Sequence, residues 1–355
     1  MIYTVTLNPS LDYVVRVHEL TPGNLHRTAE EELYVGGKGI NVANVLSGLG
    51  ADCLSLGFIA GFTGREIEQR LSRMGLATDF ITVAEGMSRI NVKLKTGQAM
   101  ETEINGQGPV IGSQDMELLY QKLEKLKDGD ILVLSGSAPR RGMNSRYSGA
   151  NCHQTDKDEL HTEPCGQPGN KGKIQAELRS METDSDDTYA DLCGRLAGRR
   201  LKLVIDAEGS LLRNTLKFRP FLIKPNHHEL GRLFGKHLIE EESIIACARQ
   251  LQEEGARNVL VSLAEKGAIL LDSNGRINLQ RAPQGKVLNS VGAGDALVAG
   301  FLYGLTHAGR ESLKEDYSEE DYLRALKYGV AAGSAAAFAE EAPERARIEE
   351  LYRSL

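Results

Sequence analysis

Several features that would assign a class at once are missing from this chain of 355 residues. No stretch approaches the roughly 20 apolar residues that span a bilayer, so no membrane partner is expected. The segment Met1-Ile2-Tyr3-Thr4-Val5-Thr6-Leu7 has no basic region ahead of a long apolar stretch, and no secretory leader is expected from it. Positive charge is not in excess, since 42 Lys and Arg face 49 Asp and Glu for a net charge of −7. That balance offers no footprint for nucleic acid or an anionic membrane, although a pocket can still be locally basic toward a small anion. Cysteine is scarce: Cys53, Cys152, Cys165, Cys193 and Cys247 are scattered and odd in number. This fits reduced thiols in a cytosol better than a disulfide framework, and a cytoplasmic location is expected. No internal repeat is found.

What is present is an alternation. Ile2 to Leu7, Leu54 to Phe58, Ile131 to Leu134, Leu203 to Ile205, Phe221 to Ile223 and Val259 to Val261 are short apolar runs of the kind that form buried strands. Between them lie segments of helical spacing, such as Ile40, Ala43, Leu46 and Leu49, or Met116, Leu119, Leu123 and Leu126. Strands alternating with helices predict an α/β fold with a mainly parallel sheet flanked by helices on both faces. Sites in such folds gather at the carboxyl ends of the strands. Residues 11–35 and 88–104 instead alternate polar with apolar, including Ile90, Val92 and Leu94, and predict a small antiparallel β lid. Residues 141–187 are polar and rich in Gly, Ser, Asn, Asp and Glu. Such a stretch cannot bury enough apolar surface to offset its ordering entropy, and a disordered or loosely held insertion is expected.

Two glycine-rich helix starts carry the chemistry. Asn289-Ser290-Val291-Gly292-Ala293-Gly294-Asp295 precedes an apolar helix from Ala296 to Leu305. Glycines at such a junction present several N–H groups to one point, and the helix dipole favours phosphate oxygens there. A carboxylate in the first turn can accept a proton from a hydroxyl. Val35-Gly36-Gly37-Lys38-Gly39-Ile40-Asn41 also opens a helix, with Lys38 and Asn41 as donors. It is not a Walker A loop, because the Lys lies inside the glycines. Each motif alone is equally consistent with an ordinary capped helix.

Together they are recognisable. Asn8-Pro9-Ser10-Leu11-Asp12, Gly36 to Asn41, Lys224-Pro225-Asn226-His227-His228-Glu229 and Gly292-Ala293-Gly294-Asp295 occur in the order of the PfkB (ribokinase-like) carbohydrate kinases, which the chain resembles outside the polar insertion. Ser88-Arg89-Ile90-Asn91-Val92-Lys93 and Glu101-Thr102-Glu103-Ile104-Asn105-Gly106 are most similar to bacterial members acting on fructose 1-phosphate. The resemblance implies a single ribokinase-like kinase domain over 1–355 that uses ATP and Mg²⁺ to phosphorylate fructose 1-phosphate at its 6-hydroxyl. A tagatose-6-phosphate kinase is the near alternative, and a non-catalytic sugar-phosphate sensor the alternative of another class. A ketohexose phosphate is the implied partner, and a homodimer through the lid is left open.

Residue by residue, the resemblance makes Asp295 the base. Gly292, Ala293 and Gly294 supply amides to the transferring phosphoryl. Asp12, Gly37, Lys38 and Asn41 fall at sugar-hydroxyl positions, and Arg89 at the substrate phosphate, with Arg27 and Lys93 as candidate helpers. Lys224, Asn226 and Glu229 fall on the nucleotide side, where Asn226 and Glu229 would organise Mg²⁺ partly through water. Ser262, Ala264 and Gly267 match the loop near the nucleotide, and Ser334 and Ala336 the small-residue helix beside the adenine. Asn289 stands where the family usually has Asp, Ala264 where Gly is common and Ala339 where Asn is frequent. In the insertion Cys152, His153, His161 and Cys165 are zinc-competent residue types, but their spacing fits no common finger.

Overall fold

The computed structural model describes residues 1–97, 101–139, 187–306 and 317–355. The expectation for 141–187, with Cys152, His153, His161 and Cys165, therefore lies outside the described residues apart from Asp187. In chain order the elements are β1 (Ile2–Thr6), β2 (Ser10–Val17), β3 (Glu30–Gly36), α1 (Lys38–Leu49), β4 (Cys53–Ala60), α2 (Gly61–Arg73), β5 (Ile81–Val83), β6 (Arg89–Thr96) and β7 (Glu101–Asn105). They continue with α3 (Ser113–Leu123), β8 (Ile131–Ser135), α4 (Thr188–Arg195), β9 (Lys202–Asp206), α5 (Gly209–Arg213), β10 (Leu222–Ile223), α6 (His227–Leu233) and α7 (Glu241–Glu253). The last are β11 (Asn258–Ser262), β12 (Ala268–Leu271), β13 (Ile277–Gln280), α8 (Ala293–Thr306), α9 (Glu319–Ala337) and α10 (Arg345–Ser354).

Nine strands form one sheet in the order β13-β12-β11-β10-β9-β8-β1-β4-β5. From β11 to β5 every pairing is parallel, and β12 and β13 close one edge as an antiparallel hairpin. Alternate residues of the central strands enter two separate apolar clusters. Val5, Leu132, Leu134, Ile205 and Val259 face one, while Ile2, Ile131, Val133, Val204 and Leu260 face the other. A sheet buried on both faces needs strands with apolar residues on both sides, which is why Ile131–Leu134 of β8 and Leu203–Ile205 of β9 are consecutive apolar residues.

The edge hairpin was not expected from the sequence. Its turn is set by the Asp272 carboxylate, which accepts the amides of Asn274 and Arg276 at 2.8 and 3.1 Å. The side strands are only four residues each, too short for alternation to stand out.

Two helices bring the glycine motifs to the sheet. α1 buries Ile40, Val42, Val45, Leu46 and Leu49 and stops at Gly50, whose φ of 87° is left-handed. α8 packs against α9 at close backbone range. A Cβ at Gly300 would lie 2.4 Å from the Tyr328 carbonyl oxygen, and one at Gly333 would lie 3.0 Å from that of Ala293. Small residues are therefore what hold the start of α8 in place.

The lid is a separate four-stranded sheet in the order β3-β2-β6-β7. The expected antiparallel pairing holds for β2 with β3 and for β6 with β7, but the central pair β2 and β6 runs parallel. The correction has a simple cause. β2 leaves β1 and β6 follows β5, and β1 and β5 themselves run parallel in the main sheet, so both lid strands start from the same end of it.

Candidate active site

The carboxyl ends of β1, β8, β9, β10 and β11 converge beneath the lid side of the sheet, and the motif residues meet there. α8 starts at Ala293, so Asp295 sits in its first turn, as expected. Gly292 just before it has a φ of 79°, a left-handed backbone that favours glycine. Asp295 is buried, and Asn41 Nδ2 donates to its Oδ2 at 2.8 Å. The two glycine-rich helix starts, 254 residues apart, thus share one hydrogen bond. Burial pushes the Asp295 carboxyl up to about 7, the Asp206 charge adds to that, and Asn41, Lys38 and Lys224 oppose it.

Asp206 was missed from the sequence. It ends β9, is fully buried, and its Oδ1 lies 3.3 Å from both Lys38 Nζ and Lys224 Nζ. Desolvation works against its charge, yet the two ammonium groups win and lower its pKa. Lys38 responds in the opposite sense. Burial alone would lower its pKa, but Asp206, Asp295, Glu229 and Glu208 together raise it. Asp206 Oδ2 has no hydrogen-bond partner among the described residues, nor has Ser135 Oγ, its register neighbour on β8. An acid directly after an apolar strand in an α/β sheet was the available signal. It was weak, because many strands end that way.

Asn226, expected on the nucleotide side, caps α6. Its Oδ1 accepts the Glu229 amide and Glu229 Oε2 accepts the Asn226 amide, both at 2.8 Å. This reciprocal cap leaves Glu229 buried with a raised pKa, because desolvation outweighs the Asn226 hydrogen bond and the nearby lysines. Among the described residues no group of three or more His, Cys, Asp or Glu could hold a metal ion. Oxygens already engaged in a cap suit an ion kept mainly by water and phosphate oxygens, as Mg²⁺ usually is. The space above α8 also suits phosphate. A Cβ at Gly294 would come within 3.2 Å of Lys224 Nζ, so glycine leaves open the gap between that ammonium and the helix start.

Ser262 ends β11 and bridges to Asn226. Ala264 follows with a φ of 53°, a left-handed backbone in which glycine is the comfortable residue. Gly267 sits under the edge hairpin, where a Cβ would meet the Gln280 carbonyl oxygen at 2.0 Å. Ser334 and Ala336 are buried on α9. The amides of Leu288 and Asn289 both donate to the Ala337 carbonyl, and Asn289 Oδ1 takes the Val291 amide at 3.0 Å. Asn289 therefore shapes the approach to α8 through its own turn.

The lid supplies the remaining candidates. Asp12 accepts Ser10 Oγ at 2.6 Å and Asn91 Nδ2 at 2.9 Å on Oδ1, and pairs with Lys93 Nζ at 3.0 Å through Oδ2. Arg89 is half-buried and donates Nε to the Asn8 carbonyl at 3.0 Å. Burial lowers its pKa, with Asp12 opposing. Gly37 has a φ of 139°, and a Cβ there would meet Thr6 Cγ2 at 2.7 Å. Arg27 is exposed on the connection between β2 and β3. Lys93, expected beside the substrate phosphate, is thus bound to Asp12.

The pfkB family carbohydrate kinase model matches residues 5–149 and 195–345. The chain belongs to that family. It is an ATP-dependent sugar kinase, in agreement with the sequence expectation. The intervening residues, unmatched, overlap the polar stretch expected to be an insertion. The chain is 39% identical to a 1-phosphofructokinase of Bacillus subtilis, covering 96% of this chain and 94% of that protein. It is 35% identical to a D-tagatose-1-phosphate kinase of Bacillus licheniformis, over 95% and 93% respectively. The structure of an Arabidopsis thaliana ribokinase complexed with ribose and ATP superposes with a TM-score of 0.71 at 17% identity, covering 99% of this chain and 98% of that one. The ribokinase-like fold is that of the expectation.

Proposed function

We propose that this kinase transfers the γ-phosphoryl group of ATP to the 6-hydroxyl of fructose 1-phosphate, giving fructose 1,6-bisphosphate. The observation that carries the chemistry is the buried Asp295 carboxylate, poised at about 7 and held by Asn41 at the start of α8. The relative named 1-phosphofructokinase supports the choice of sugar.

Bound ATP supplies the phosphoryl donor. Asp295 takes the proton from the sugar hydroxyl as its oxygen attacks the γ-phosphorus, and the bond from that phosphorus to the bridging oxygen breaks so that ADP leaves. The amides of Gly292, Ala293 and Gly294, with Lys224 and Lys38, stabilise charge on the phosphoryl oxygens. Phosphoryl transfer asks mainly for such positioning and electrostatic stabilisation. Asp12, Gly37, Lys38 and Asn41 hold the sugar hydroxyls. Arg89 keeps its two Nη groups for the substrate phosphate in a fork geometry, since Nε is bound to Asn8. Arg27 is a second cation for that phosphate. Asn226 and Glu229 would hold Mg²⁺ through water, and it would supply charge neutralisation on the phosphates; Ser262, Ala264, Gly267, Ser334 and Ala336 would line the nucleotide.

A tagatose phosphate is the second reading, favoured by the D-tagatose-1-phosphate kinase relative. A non-catalytic sensor has no observation in its favour, because Asp295, Lys224 and Glu229 are all retained. We also propose a single kinase domain, with its homodimer contact on the lid. A cytoplasmic location accords with the free thiols of Cys53, Cys193 and Cys247, and no helix among the described residues is long and apolar enough to cross a membrane.

The test is ADP release with fructose 1-phosphate, tagatose 6-phosphate and tagatose 1-phosphate, with and without Mg²⁺. Fructose 1-phosphate should give the highest kcat/KM, and only with Mg²⁺. Faster turnover of either tagatose phosphate would overturn the sugar assignment.

A further inference from the structure

Asn91 touches Asp12 from the neighbouring lid strand β6. It is buried, with 6% of its surface exposed, and lies in register with Asp12 on β2 and Asn105 on β7. Its side chain bonds in two directions. Nδ2 donates to Asp12 Oδ1 at 2.9 Å, and Oδ1 accepts the Gly106 amide at 3.2 Å. The amide orientation is fixed by these partners, because a backbone N–H needs an acceptor and a carboxylate needs a donor. Gly106 just beyond β7 can approach only because it lacks a side chain. A Cβ there would come within 2.8 Å of the Ile90 carbonyl oxygen. Across the lid, a Cβ at Gly36 would lie 2.6 Å from Asp12 Oδ1. The carboxylate is therefore confined on one side by Gly36, with Ser10, Asn91 and Lys93 as its donors.

We infer that Asn91 is a positioning residue for sugar recognition: it ties the Asp12 carboxylate to the end of β7, so that Asp12 is presented to sugar hydroxyls only when that end of the lid is in place. This rests on Asp12 being a sugar ligand. Lys93 shares the task by balancing the Asp12 charge, which an otherwise half-buried carboxylate in the lid would lack. Removing the Asn91 donor frees Asp12 to rotate toward Lys93, where its oxygens no longer converge on the sugar.

The test is sugar-phosphate binding by calorimetry and steady-state kinetics on Asn91→Asp, Asn91→Ala, Asp12→Ala and the double variant Asp12→Ala/Asn91→Ala. Asn91→Asp is nearly isosteric and keeps an acceptor for Gly106, but it sets a second carboxylate against Asp12 Oδ1 in place of the donor, so thermal unfolding of each variant is followed alongside binding. Asn91→Ala, which adds no charge, should raise KM for fructose 1-phosphate about tenfold or more, the scale of one lost hydrogen bond to a charged group, and Asn91→Asp at least as much. KM for ATP should stay within about twofold, within the coupling seen for distant sites. In the Asp12→Ala background, Asn91→Ala should have no further effect on sugar-phosphate affinity. Normal sugar-phosphate KM in Asn91→Asp, or equal losses from Asn91→Ala with and without Asp12, would overturn the role of Asn91. If Asp12→Ala itself binds fructose 1-phosphate normally, the sugar-site reading fails instead.

Discussion

As the proposed base, a carboxylate at position 295 meets two opposing demands, since it must be buried to be basic and ionised to be useful. With its pKa pushed up to about 7 by burial and by Asp206, Asp295 is largely protonated in mildly acidic solution. We expect kcat/KM to fall about tenfold per pH unit below 7 and to level above it, because only the ionised form accepts the proton. Asp295→Asn should lower kcat by at least about 10²-fold while sugar-phosphate affinity is kept. The same residue leaves a thermodynamic signature. Its folded pKa lies above the unfolded value, so its favourable contribution is present at low pH and is lost as pH rises through about 7. Asn stays neutral at every pH. The melting advantage of the variant over the wild type should therefore grow from about pH 4 to about pH 7, the interval between the unfolded and folded values, and an advantage that shrinks over that range would refute the burial account. Asp206 has the opposite sign. Its pKa is lowered by Lys224 and Lys38, so its contribution is present above the unfolded carboxylate range and is lost as pH falls through the folded value. Asp206→Asn leaves the buried Lys224 ammonium without its partner and should cost about 3–5 kcal/mol in denaturant unfolding at pH 7. An unchanged midpoint would mean that the lysines find other anions. Asp206 illustrates why one key residue was not legible in the sequence. Its meaning comes from Lys38, 168 residues away, and from Lys224 just after β10, and neither pairing is visible along the chain.

At the scale of elements, the two glycine motifs were legible because their signal is local: glycine, then donors or an acid, then an apolar helix. Direction was not. Alternation of polar and apolar residues assigns faces to lid strands but says nothing about whether neighbours run parallel, hence the reversed expectation for β2 and β6. What places the start of α8 is equally invisible as a motif. It is the close crossing of α8 and α9, where Gly300 meets Tyr328 and Gly333 meets Ala293. Gly300→Val must push the helices apart, since even a Cβ would lie 2.4 Å from a carbonyl oxygen that cannot yield like a flexible side chain. We expect about 1–3 kcal/mol of destabilisation from overpacking. The start of α8 should move with it, so kcat should drop before any unfolding is detectable. Unfolding at the wild-type midpoint with normal kcat would show that the crossing does not position Asp295.

For the whole molecule, the lid has one face that bears Asp12 and Asn91 and one left over. Residues in direct register share a face, so Tyr13, Leu33, Val92 and Ile104 line up across β2, β3, β6 and β7, opposite to Asp12 and Asn91. Nearer the main sheet the same face is covered, as Leu11, Val35 and Ile90 pack with Ile40 and Ile67. Farther out Ile104 is 64% exposed. A row of apolar side chains on a two-layer fold gains by being covered, and a second lid turned about a twofold axis would offer the same row in return. Ile104→Glu places a charge in the middle of such a contact, where its desolvation would go uncompensated. Light scattering at micromolar concentration should then give a dimer for the wild type and a monomer for the variant. Because the contact lies on the opposite face from Asp12, the monomer should still bind nucleotide normally. Its KM for the sugar phosphate should rise as the lid loses support, while Asp295 and its pH profile stay unchanged. A monomeric wild type, or a variant that stays dimeric, would leave this face without the assigned partner.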